Sequence, residues 1–294
     1  MSKIFEALQN VDCRVGDFDL RGVTDSLIPR NEIQYAGSSE ILIQNAAALQ
    51  DLPVTRNIRL APLRIVPSSP LAVPFAGTHP VAGEQYRILR TRILQHPSQP
   101  RVLVVSSAAA SDGKSTTATN LAFALALRSE MKVLLIDADM RRGAIASDLG
   151  LNPSPGLAEY LRGLCDLTSV ITGFEQLPNL HVIAAGKEYV NPCELLDSER
   201  WRSTCALARD TYGFVILDSP PIGMVADYEL LQNVADGVLL VMRPDNTNRK
   251  LAARALETVP KAKLIGVVLN CVSGLLMGDQ DSYGGRYYYQ KDAK

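Results

Sequence analysis

From about residue 100 onward, hydrophobic positions fall in short solid runs instead of alternating with polar ones. Val102–Val105, Val133–Ile136, Phe214–Leu217 and Val238–Val241 are apolar, several rich in β-branched residues, and too short for helices. Such runs predict strands buried on both faces. The pattern places strands at 102–106, 132–137, 180–184, 213–218, 236–242 and 263–270. Helical spacing between them predicts helices near 115–129, 156–163, 198–210, 227–234 and 247–258. Alternation of this kind predicts an α/β fold: a mostly parallel sheet with helices on both faces, a three-layer sandwich. Such sheets bind ligands beyond the carboxyl ends of their strands.

The first part of the chain carries a different pattern. Ile4, Phe5 and Leu8 place one apolar face on a short helix over residues 1–10, either a docking element or a frayed start. Residues 11–60 keep no sustained period, and Ile41-Leu42-Ile43 reads as either a short strand or a helical turn. Pro62, Pro67, Pro70, Pro74 and Pro80 mark an extended linker. The expected organisation is an N-terminal extension and linker over 1–80, an α/β domain over 81–275, and a tyrosine-rich tail over 276–294. At the start of that domain, Glu84, Arg87 and Arg90 recur every three residues and would share one charged helix face.

The chemistry begins where the strand at 102–106 ends. Ala108-Ala109-Ala110-Ser111-Asp112-Gly113-Lys114-Ser115-Thr116 lies between that strand and an alanine- and leucine-rich helix. Strand, small-residue loop, Gly-Lys-Ser and helix together form the context of a phosphate-binding loop. Helix N-termini present unpaired amides to phosphate. Lys114 would reach the β- and γ-phosphates, and the Ser115 hydroxyl would take Mg²⁺. The strict pattern has glycine where this chain has Ala108. Ser111 also stands at a common glycine position, where a left-handed backbone would cost serine about 1–2 kcal/mol.

Two acidic strand ends join the loop. Val133–Ile136 runs into Asp137-Ala138-Asp139-Met140-Arg141-Arg142, and strand alternation would turn both acids to one side. Two such carboxylates can hold Mg²⁺ or its waters, and one can accept a proton from an attacking hydroxyl. Phe214–Leu217 ends on Asp218-Ser219-Pro220-Pro221, where phosphate-loop proteins carry a metal-holding acid.

Composition changes this picture little. The 294 residues are 47% hydrophobic and carry a net charge of −1, which makes no global case for nucleic acid or an anionic membrane. Five cysteines without a CxxC pair argue against a disulfide framework or zinc site and suit a reducing cytoplasm. No apolar run reaches the length of about 18 residues that spans a bilayer.

With these motifs in place, residues 80–294 resemble the bacterial tyrosine kinase family, cytoplasmic enzymes of capsule and exopolysaccharide synthesis and export. Lys114 and Ser115 match its Walker A positions, Asp137 and Asp139 its Walker A′ motif, and Asp218 its Walker B acid with the Ser-Pro-Pro continuation. Glu84, Arg87 and Arg90 match the helix that mediates ring-like self-association. Gly156-Leu157 and the run Asn191-Pro192-Cys193-Glu194-Leu195-Leu196 are further landmarks. The family loop commonly reads Pro-Gly-Glu-Gly-Lys. Here Asp112 keeps the acid, while Ala110 and Ser111 replace the proline and one glycine.

The resemblance implies a deviant-Walker P-loop fold and ATP with Mg²⁺ as cofactors. Ser111, Asp112, Gly113, Lys114, Ser115, Thr116 and Asn270 would bind nucleotide, Asn270 at the adenine. Ser115, Asp137 and Asp218 would hold the metal, and Asp139 or Asp137 would take the acceptor's proton. It further implies autophosphorylation of the tail tyrosines Tyr283, Tyr287, Tyr288 and Tyr289 by a neighbouring subunit. A separate transmembrane activator, a polysaccharide co-polymerase, would recruit the cytoplasmic ring to the membrane. A ParA/MinD-like ATPase is the competing expectation, but that class has a lysine at the position of Ala109 and no use for a tyrosine tail. A nucleotide-dependent scaffold is the third.

Overall fold

The computed structural model describes residues 59–61, 80–128, 130–187 and 191–272. The expectations for residues 1–10 and 41–43 and for Tyr283, Tyr287, Tyr288 and Tyr289 lie outside these. The described segments form one eight-stranded sheet in the order β1-β4-β5-β3-β6-β2-β7-β8. Its strands are β1 (Arg59–Ala61), β2 (Val102–Ser107), β3 (Val133–Asp137), β4 (Ile171–Phe174), β5 (Leu177–Ile183), β6 (Phe214–Asp218), β7 (Gly237–Met242) and β8 (Leu264–Leu269).

Every pairing is parallel except β4 with β5. The six predicted strands are all present. β1 and β4 were not predicted. Three residues carry no period, and β4 is four residues interrupted by Gly173, so neither gives a hydrophobic run. β5 begins three residues earlier than expected, because the β4–β5 pairing extends it across Pro178, a residue that reads as a break.

The helices are α1 (Pro80–Leu94), α2 (Lys114–Ala126), α3 (Ile145–Asp148), α4 (Leu157–Leu161), α5 (Leu167–Val170), α6 (Pro192–Leu196), α7 (Glu199–Thr211), α8 (Asp227–Val234) and α9 (Arg249–Thr258). The three shortest unpredicted ones, α3, α5 and α6, span too few residues to show a period.

The continuous apolar runs now have their physical reason. Val102 and Val104 pack into one core with Leu134, Ile136, Trp201 and Tyr228. Leu103 and Val105 point through the sheet into a second core with Leu121, Phe123, Leu125 and Ile216. Both faces of β2, β3, β6 and β7 are dry, and in these strands polar side chains appear only at the carboxyl ends. Among the described residues, no helix is long and apolar enough to cross a membrane.

Candidate functional site

The register brings the chemistry to one edge. In the parallel ladders Asp137 faces Asp218 across β3 and β6, and Val105 faces Asp218 across β2 and β6. β2, β3 and β6 therefore deliver the phosphate loop, Asp137 and Asp218 to the same carboxyl-end rim. Asp137 is the last residue of β3, and Asp139 lies beyond it. Strand alternation thus does not carry Asp139 to its place. A turn does, with the Arg142 amide donating to the Asp139 carboxylate at 3.1 Å and to its carbonyl at 3.0 Å.

The loop turns sharply at two left-handed residues, Ser111 (φ 66°) and Gly113 (φ 93°). At Gly113 glycine is required twice over, because a Cβ there would overlap the Asn270 carboxamide. Ser111 does adopt the conformation that penalises serine, at about 1–2 kcal/mol. The Asp112 side chain is fully buried and faces its own loop. It accepts from the Ala109 amide at 2.8 Å, from Asn246 Nδ2 at 2.7 Å and from Thr247 Oγ1 at 2.7 Å. Asn246 also donates to the Ala110 carbonyl at 2.8 Å. Asn270 Nδ2 donates to the Asp112 carbonyl at 2.9 Å, so this amide ties the end of β8 to the loop.

Asn246 and Thr247 have no sequence signal. They sit in a polar loop after β7 like many others, and only the β2–β7 pairing places them beside Asp112.

Lys114 opens α2 and folds onto the acids. Its Nζ lies 2.9 Å from Asp139 Oδ2, 3.7 Å from Asp218 Oδ1 and 3.1 Å from Ser115 Oγ. Burial works against its charge, but Asp218 and Asp139 outweigh that and raise its pKa. Burial, with Asp218 alongside, pushes Asp137 well above the usual carboxylate range, against the Ile145 amide and the Lys114 charge. Burial raises Asp218 as well, opposed by Lys114 and the Ser115 hydroxyl. Asp137 Oδ2 accepts from the Ile145 amide at 3.1 Å. Asp137 Oδ1 and both Asp218 oxygens are buried without a hydrogen-bond partner.

Orphaned carboxylate oxygens beside a hydroxyl fit a hard cation. Among the described residues, no group of three or more His, Cys, Asp or Glu is arranged to hold a metal by itself. An ion at Ser115, Asp137 and Asp218 would complete its shell with water and phosphate oxygens, as Mg²⁺ usually does.

The predicted charged face of α1 divides in two. Glu84 and Arg87 are paired at 2.9 Å and stand half exposed. Arg90 turns inward, and its Nη1 donates to the Ala124 carbonyl of α2 at 2.9 Å. Val81 and Ile88 are exposed on the same helix.

With this geometry in view, the comparisons with known proteins converge. A family model described as an AAA domain matches residues 101–264. The tyrosine-protein kinase YwqD of Bacillus subtilis is 37% identical over 214 residues, covering 71% of this chain and 87% of that protein. The tyrosine-protein kinase CpsD of Streptococcus agalactiae is 32% identical over 208 residues, covering 69% of this chain and 90% of that protein. Among solved structures, the kinase domain of the Escherichia coli tyrosine kinase ETK superposes with a TM-score of 0.62 at 30% identity, covering 70% of this chain and 82% of that one. The predicted α/β sandwich and phosphate-loop architecture are those of these relatives, and the chain belongs to the bacterial tyrosine-protein kinase family.

Proposed function

We propose that this protein-tyrosine kinase is an autokinase that uses Mg·ATP to phosphorylate Tyr283, Tyr287, Tyr288 and Tyr289 on a neighbouring copy. The observation that carries the reading is Lys114. It is a largely buried cation held by Asp139 and near Asp218, at the head of a helix, where first-turn amides lack intrahelical partners.

Gly113, Lys114, Ser115 and Thr116 would bind the phosphates, with the backbone of Ser111 and Asp112 completing the cradle. Asn270, at the loop's rim, would meet the adenine, since an amide offers both a donor and an acceptor. Ser115, Asp137 and Asp218 would hold Mg²⁺, which neutralises charge on the transferred phosphoryl group. When Lys114 turns from Asp139 to a γ-phosphate, it leaves that carboxylate without its cation. Asp139 then becomes a hydrogen-bond acceptor for the incoming tyrosine hydroxyl, whose unperturbed pKa is about 10. Asp137 is the alternative acceptor, but its Oδ2 is engaged by the Ile145 amide and its Oδ1 would serve the metal. Most of the rate enhancement would come from positioning and charge stabilisation.

The outward pair Glu84 and Arg87, flanked by Val81 and Ile88, supports self-association into a ring, with Arg90 fixing α1 to α2. Phosphates on the tail add about −1.5 to −2 charges each and would loosen that ring. The assembly would work in the cytoplasm, recruited by a transmembrane activator, to regulate capsule or exopolysaccharide synthesis or export.

The test is mass spectrometry for phosphotyrosine after incubation with Mg·ATP, with Lys114→Met in parallel and with and without an activator's cytoplasmic segment. Phosphate on the tail tyrosines of the wild type, reduced by about 10²-fold or more in Lys114→Met, is the expected outcome. Nucleotide binding without tyrosine phosphate under any condition would replace the autokinase by a nucleotide-dependent scaffold.

A further inference from the structure

Asp227 takes no part in the chemistry described so far. It is the first residue of α8, only 1% exposed, yet its carboxylate is met by three donors. Arg141 Nε reaches Oδ2 at 2.8 Å, Arg141 Nη2 reaches Oδ1 at 3.1 Å, and the Cys193 thiol donates to Oδ1 at 2.5 Å. Arg141 Nη2 also lies 3.9 Å from Cys193 Sγ. Burial works to raise the Asp227 pKa, but the Arg141 fork and the thiol outweigh it and hold the carboxyl below its ordinary value.

The three residues come from three separate segments: the turn after β3, the short helix α6, and the start of α8 beyond the exit of β6. A buried carboxylate gripped by both nitrogens of an arginine fork fixes direction as well as distance.

What the fork is attached to gives it a consequence. Arg141 is two residues after Asp139, and the Arg142 amide closes the turn between them on the Asp139 carboxylate and carbonyl. The turn is therefore held at two ends, by Lys114 on Asp139 and by Asp227 on Arg141. The first tie is lost when Lys114 moves to a phosphate. The second does not involve the nucleotide.

We infer that Arg141 and Asp227 are positioning residues, a tether that keeps the Asp139 carboxylate aimed at the acceptor hydroxyl after Lys114 has left it. Cys193 supports the tether from α6. The inference rests on the autokinase reading for its catalytic consequence, but the tether itself is testable without activity.

The experiment uses the full chain with Asp227→Asn, Arg141→Lys and the two combined. Phosphotyrosine formation is measured over a range of Mg·ATP, and hydrogen exchange is measured on peptides covering residues 138–145. Lysine keeps the charge but cannot reproduce the fork, and Arg141 is the more exposed partner, so its variant tests the tether even if Asp227→Asn folds poorly. The expected result is a fall in kcat of about tenfold in each single variant, with KM for ATP changed by no more than about twofold. The double variant should be no slower than the slower single one, because the two residues act as a unit. Exchange should quicken in the 138–145 turn and stay unchanged in β3 and β6.

Unchanged exchange in the turn overturns the tether. So do multiplicative effects of the two substitutions, or a parallel loss of kcat, ATP affinity and strand protection. A wild type without tyrosine phosphate would instead defeat the autokinase reading, leaving the exchange result to decide the tether.

Discussion

Asp112 and Asp137 are both fully buried carboxylates at the same rim of one sheet, and their surroundings are opposite. Asp112 receives the Ala109 amide, the Asn246 amide group and the Thr247 hydroxyl, and Asn270 closes on its carbonyl. Asp137 receives one amide and keeps one oxygen unpaired, while its ladder partner Asp218 keeps two. The loop is finished by the protein alone. The acidic pocket is not, since burial and like charge raise both carboxyls against Lys114, the Ile145 amide and the Ser115 hydroxyl. A site that binds phosphate through fixed backbone geometry needs a loop that does not move. A site that recruits a cation needs charge that the fold leaves uncompensated. The braced loop suits the first, and the uncompensated carboxylates beside it suit the second.

Breaking the loop should have the largest effect on the fold. Asp112→Ala strips three donors of their buried acceptor at once and should cost about 2–4 kcal/mol, read by denaturant unfolding. Nucleotide affinity should fall with it, and a loop that kept both would show that Asp112 is not its brace.

The acidic pocket should respond with the opposite sign. A carboxyl whose folded pKa lies above its unfolded value binds its proton more tightly when folded. Its contribution to stability is then lost as pH rises from about 4 toward neutrality. Asp137→Asn should therefore stabilise the chain in chelator at neutral pH by about 1 kcal/mol and flatten the fall of stability over that window. The same variant should lose the stabilisation that Mg²⁺ with nucleotide gives the wild type. Thermal melts at several pH values, with and without Mg·ADP, check both halves. Equal slopes in the two proteins would remove the contrast between the regions.

The smallest effect sharpens the comparison inside the loop. Ser111→Gly relieves a left-handed serine, but the added freedom of the unfolded chain opposes the gain. The net should be a stabilisation below about 1 kcal/mol, with nucleotide affinity unchanged. A loss of affinity would mean that the Ser111 side chain itself contacts the ligand.

Most of the site was legible in the sequence because its residues terminate solid apolar runs. In β3 and β6 the only polar side chain is the last one, so Asp137 and Asp218 mark the strand ends as well as candidate chemistry. Gly113-Lys114-Ser115 was legible for a related reason, as a glycine-bearing turn between a buried run and an alanine-rich helix. Arg90 shows the limit. Three-residue spacing put it on the outward face with Glu84 and Arg87, whereas the docking of α1 on α2 turned its guanidinium inward to the Ala124 carbonyl.

The sequence by itself determined the class of sheet, the phosphate loop and the two acidic strand ends, because each is written in contiguous residues. Tertiary structure alone decided that β1 and β4 join the sheet, that Asn246 and Thr247 brace Asp112, and that Asp227 grips Arg141 from 86 positions away. Those contacts depend on which strands lie beside one another. Parallel order is set by crossovers and packing over the whole domain, which no local spacing records.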